Sequence, residues 1–77
     1  MNPTTRSIID RLPKKPLLSP GDLAAAFGLA TSNAIIADIK TGKLGAVVIG
    51  GKYIVARDEA ARYVEASEYS PEEGTLP

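Results

Sequence analysis

The sequence predicts a small α+β domain in which short helices pack around one β-hairpin, and three observations lead there. Helical periodicity recurs in four short stretches, β-branched residues replace it over residues 44–55, and a Gly50-Gly51 pair divides that stretch in two. At 77 residues there is room for a single domain with a thin core, which excludes a two-domain enzyme. With no cysteine and no histidine, the chain lacks disulfides, thiolate metal sites and the commonest acid/base side chain, so the fold must rest on packing alone. No catalytic residue, cofactor or metal is expected.

The elements follow in order. Over Thr4 to Leu12, Ile8, Ile9 and Leu12 make one apolar stripe of a short helix, and Pro13 stops it. Lys14-Lys15-Pro16 reads as a basic, extended connector, because a residue before proline is pushed out of the helical region. Ser19-Pro20-Gly21-Asp22 then opens a helix. Ser19 can accept from free N–H groups, Pro20 suits the first helical position, and Asp22 suits the positive end of the dipole. Leu23, Ala24, Ala26 and Phe27 form its buried face, Gly28 ends it with a positive φ, and Leu29 is expected to pack beneath the turn. The next helix is capped by Thr31 or Ser32, buries Ile35 and Ile39 one turn apart, and ends at Gly42.

The β-branched run from Leu44 to Val55 is a hairpin with two possible registers. A three-residue loop, Gly50-Gly51-Lys52, sets Val47 opposite Val55 and places Val48 and Ile54 together on the other face. A two-residue loop, Gly50-Gly51, shifts the pairing by one. A last helix over Arg57 to Ser67 buries Ala60, Tyr63 and Val64 and turns an acidic face outward. The expected organisation is thus an N-terminal helix and basic connector over residues 1–16, the main domain over 17–67 and a mobile acidic tail over 68–77.

Helix, tight turn, helix, hairpin, helix is the plan of a winged helix-turn-helix. The residues carry the likeness further. Leu18 to Leu29, with its capped helix ending in Phe27-Gly28-Leu29, resembles the opening of excisionase-type domains, which are close to the DNA-binding half of MerR-type regulators. Ile39-Lys40-Thr41-Gly42-Lys43-Leu44 matches the way that family closes its second helix. Ala46 to Val55 aligns with its wing, and Arg57-Asp58-Glu59-Ala60 through Tyr63-Val64 with its closing helix. The resemblance spans about residues 17–66 and implies double-stranded DNA as partner, with an integrase beside it and self-association along the DNA. Several positions depart from the pattern: Val48 and Ile54 replace wing arginines, Gly51 replaces a basic loop residue, Gly45 replaces the usual proline, and Thr31-Ser32-Asn33-Ala34 stands, after a turn one residue longer, where the family begins its second helix with serine and arginines.

On a helical wheel Asn33, Ile36, Ala37 and Lys40 lie opposite Ile35 and Ile39, and with Ser32 they form the candidate groove-entering face. Asn33 can pair with adenine, Lys40 with guanine or phosphate, and Ile36 and Ala37 with thymine methyls. Lys43, Lys52 and Arg57, joined by Lys14 and Lys15, are candidate phosphate contacts. The zero net charge does not oppose this. Residues 1–57 carry eight basic against three acidic side chains, and residues 58–77 carry one against six. A competing reading takes the lost arginines at face value, so that Val48 and Ile54 form an apolar interface for a protein partner, such as a host protein that a phage or mobile element inhibits. A third possibility is that the N-terminal helix covers them.

An enzyme is not expected. Gly45 to Tyr53 imitates a phosphate-binding loop, but its lysine comes one residue late, tyrosine stands where Ser or Thr is needed, and a strand follows in place of a helix. Glu65, Glu68, Glu72 and Glu73 lack the spacing of a calcium loop. With no apolar run long enough to span a bilayer and no signal-peptide layout at Met1-Asn2-Pro3, a cytoplasmic location is expected and no membrane partner.

Overall fold

A computed structural model describes residues 2–69. Four helices and three short strands follow in the order α1 (Pro3–Arg11), β1 (Leu17–Leu18), α2 (Pro20–Phe27), α3 (Asn33–Lys40), β2 (Val47–Ile49), β3 (Lys52–Ala56) and α4 (Arg57–Ala66). The strands form one antiparallel sheet in the order β1-β3-β2. The expected α+β class is what the chain shows, with one addition. Leu17 and Leu18, too short a run to carry a period, pair with Ala56 and Val55 and make β3 the central strand.

Each helix start has a local cause. Asn2 caps α1 by accepting from the Thr5 N–H at 2.8 Å, one turn ahead of the apolar stripe. Ser19 and Asp22 form a reciprocal capping box on α2: the Ser19 Oγ accepts from the Asp22 N–H, and the Asp22 carboxylate accepts from the Ser19 N–H. That second bond holds the Asp22 carboxyl below its ordinary value, helped by Lys15 at 3.3 Å. Gly28 ends α2 at φ 75°, where the Leu29 N–H closes back on the Ala24 carbonyl at 2.8 Å. The Leu29 side chain does not pack beneath this turn. It is exposed, because the backbone bond alone completes the cap.

The core draws one large side chain from nearly every element: Leu12 after α1, Leu18 from β1, Leu23 from α2, Ile35 from α3, Leu44 from the following loop and Val55 from β3, all essentially inaccessible. Ala60 completes it from α4, its small side chain letting that helix lie close to the sheet. Phe27 and Tyr63 stack at 6.0 Å between ring centroids. The N-terminal helix is therefore an integral layer, packed on α4 and α2. It does not cover the hairpin, and Val47, Val48 and Ile49 stay more than half exposed.

The far end of α4 returns to the chain's beginning. Glu68 accepts from the Thr5 hydroxyl and from the Asn2 N–H, which holds its carboxyl below the ordinary value. Glu68 is thereby part of the folded body, contrary to the expected tail boundary, because Thr5, the one buried polar residue among those described, needs a partner. The rest of the expected acidic tail, residues 70–77, lies outside the described residues.

Candidate nucleic-acid interface

The orientation of α3 is set from its inner side. Ile35 is fully buried, Ile39 leans on the core, and Asp38 accepts a hydrogen bond from the Tyr63 hydroxyl of α4. Burial, and next this bond, push the Tyr63 hydroxyl up to about 12. With three positions pinned, the opposite face must point outward. Asn33, Ala37 and Lys40 are exposed there, and Ile36 is half-buried at its edge. Ser32 occupies the cap position without a side-chain cap bond, and the Asn33 N–H turns instead to the Thr31 Oγ1 at 3.4 Å.

The hairpin takes the two-residue loop. Gly50 and Gly51 adopt φ 60° and 77°, the left-handed pair that lets the strands keep their twist, and Ile49 pairs with Lys52, Val48 with Tyr53 and Val47 with Ile54. This register separates Val48 from Ile54. Residues directly opposite each other share a face, so Val48 lies with Tyr53 while Ile54 lies with Val47 on the reverse side. The expected Val48–Ile54 patch does not exist, because a one-residue change in loop length exchanges the faces of one whole strand.

Ser32 and Ile36 from α3 and Gly51, Lys52 and Tyr53 from the hairpin line one open groove of about 680 Å³, whose far bank is the start of α2 at Pro20 and Gly21. The groove exists because β1 pairs only with the last two residues of β3, and the chain then turns away into α2. Two segments chosen separately in the sequence, the start of the second core helix and the hairpin lysine, thus share one concavity. Asn33, Ala37, Lys40 and Lys43 are exposed without lining it.

Lys15 and Tyr53 also line this groove and were not singled out as groove residues. The Lys14-Lys15 connector was the available signal for the first; the second appears only once the register is known. Among the described residues the ion pairs are Lys15–Asp22 and Arg62–Glu59, and neither involves Lys40, Lys43 or Lys52. Among the described residues those three ammonium groups have no ion-pair partner.

Arg57 is placed differently from the expectation. Its guanidinium donates to the Pro13 and Ile9 carbonyls, both at 3.1 Å, and its own N–H donates to the Pro16 carbonyl at 2.9 Å. It closes the C-terminal end of α1 onto the base of the sheet, where the last carbonyls of a helix need donors. A fork of five donors suits that task.

No group of three His, Cys, Asp or Glu among the described residues stands close enough to hold a metal ion, and no described helix is long and apolar enough to cross a membrane. No family model matches the chain, and neither the curated proteins nor the solved structures contain a match to it.

Proposed function

We propose that this chain is a double-stranded DNA-binding protein of winged helix-turn-helix type, with α3 entering the major groove and the β2–β3 hairpin as a wing on the backbone. The observation that carries the reading is the shared groove: Ser32 and Ile36 at the head of α3 face Lys52 at the hairpin tip across one concavity. Asn33, Ala37 and Lys40 continue the exposed side of α3 as groove-reading side chains, and Lys43 and Lys52 are the phosphate contacts. Arg57 has no part in it. The resemblance to excisionases makes the finer role a small directionality or regulatory factor of a phage or mobile element, with an integrase as partner and adjacent copies along the DNA.

Two phosphate contacts give a modest affinity with a defined salt response. At a slope of about −0.9 per phosphate contact, Lys43 and Lys52 together weaken binding about 12-fold between about 50 and 200 mM salt. Fluorescence anisotropy with genomic duplex fragments measures this. The reading predicts that Lys40→Glu with Lys52→Glu abolishes binding at low salt, and an intact chain that binds no duplex at about 50 mM salt overturns it.

A further inference from the structure

The outer face of the sheet is apolar and, among the described residues, uncovered. The register puts Val47, Ile49 and Ile54 on it together with Leu17 and Ala56, and Leu17, Val47 and Ile49 are 56%, 54% and 63% exposed. A three-stranded sheet normally turns its second face to water with polar side chains, and here the only polar one along the strands is Lys52. At the other end of the face Asp58, Glu59 and Arg62 of α4 border the hollow lined by Leu17, Val47, Ile54 and Ala56. Glu59 is committed to Arg62 at 2.7 Å and to the Gly45 N–H, whereas Asp58 takes part in neither ion pair.

The geometry points to a second copy of this chain as the occupant: two copies pack outer face to outer face about a two-fold axis, with the β3 strands antiparallel. Charge placement selects this partner. Lys52 opens β3, which spans about 13 Å at ~3.3 Å per residue, and Asp58 lies two residues beyond its end at the start of α4, with Ile54 and Ala56 between them. A two-fold axis through that midpoint lays Lys52 of each copy over Asp58 of the other, twice, around an apolar centre. Sheets pack in this way about 10 Å apart with strands within about 30° of alignment. Leu17, Ile49, Lys52 and Ile54 also line the groove assigned to DNA, so the dimer and a duplex compete for this surface.

A specific interface needs about 1,000 Å² in all, or about 500 Å² from each copy, roughly a tenth of the 5297 Å² that the chain exposes. The contact is thus at the small end, and association is concentration-dependent. Sedimentation equilibrium of the full chain, without DNA, from about 1 µM to about 1 mM reads it. The mass is expected to climb from 8.1 kDa to twice that value. Val47→Asp abolishes the dimer, whereas Val48→Asp, equally exposed in the same strand but on the opposite face, leaves it intact.

The charge pair gives a sharper test. Lys52→Glu and Asp58→Lys each create two like-charge contacts and weaken the homodimer at least about tenfold. Mixing the two variants restores association, because both pairs in the mixed dimer are again of opposite sign. A wild-type chain that stays at 8.1 kDa throughout leaves the face to another protein or to residues 70–77 and overturns the inference. So does Val48→Asp acting like Val47→Asp, or a mixture that does not recover.

Discussion

Replacing Arg57 separates structure from binding at a position where the two were confounded. Arg57→Ala removes two charged-donor hydrogen bonds, to the carbonyls of Ile9 and Pro13. The Ile9 carbonyl retains the Leu12 N–H at 3.1 Å, and the site is only half-buried, so each lost bond is taken near the low end, about 1 kcal/mol. About 2 kcal/mol in total lowers the melting temperature by about 8–16 °C in a domain of this size. Arg57→Lys keeps the charge but not the fork, and one ammonium reaches one carbonyl at best, so about half of the loss remains. Thermal melts followed by circular dichroism measure both variants. A melting temperature for Arg57→Ala within about 2 °C of the parent refutes the anchoring role. A fall of about 0.9 in the salt slope of DNA binding in the same variant would show instead that the guanidinium meets phosphate.

Three other outcomes are expected. Ile35→Ala, at the fully buried inner side of α3, costs about 2–5 kcal/mol in urea unfolding, a large part of the total stability of a chain this short. Tyr63 has its folded pKa raised above its unfolded value of 10.0, so its contribution is fully present below pH 10 and is lost as pH rises through about 12; Tyr63→Phe removes that alkaline dependence in pH-resolved melts. Glu68 has a lowered folded pKa, so its contribution is present above the ordinary value of 4.5 and is lost as pH falls through the folded value; the protection factors of α1 amides, corrected for the intrinsic exchange rate, then fall with acid in the parent and stay level in Glu68→Gln.

What the sequence made legible was what depends on near neighbours. Ser19 and Asp22 are three residues apart and announce their helix, Gly28 and the Gly50-Gly51 pair announce turns that need positive φ, and the stripes of α3 and α4 follow from periodicity. What stayed hidden depends on distant pairing. β1 is two residues long and gains its identity only from Val55 and Ala56. Arg57 looked like a free cation until the carbonyls of Ile9 and Pro13 were brought to it. For the site, the exposed residues of α3 could be read from a wheel. Their meeting with Lys52 across a groove could not, since it depends on where β1 releases the chain, and a one-residue difference in the hairpin loop decided which apolar side chains share a face.

The bond from Asn2 to Glu68 has a kinetic consequence. These residues are 66 positions apart, so this bond closes almost the whole chain into a ring, whereas the packing of α1 on α2, the α2–α3 turn and the hairpin close over far shorter loops. Closure over so long a loop yields its contacts only after the shorter ones have formed. The clasp between Asn2 and Glu68 is therefore expected to form last and to open first, freeing the start of α1 while the groove beside α3 stays assembled.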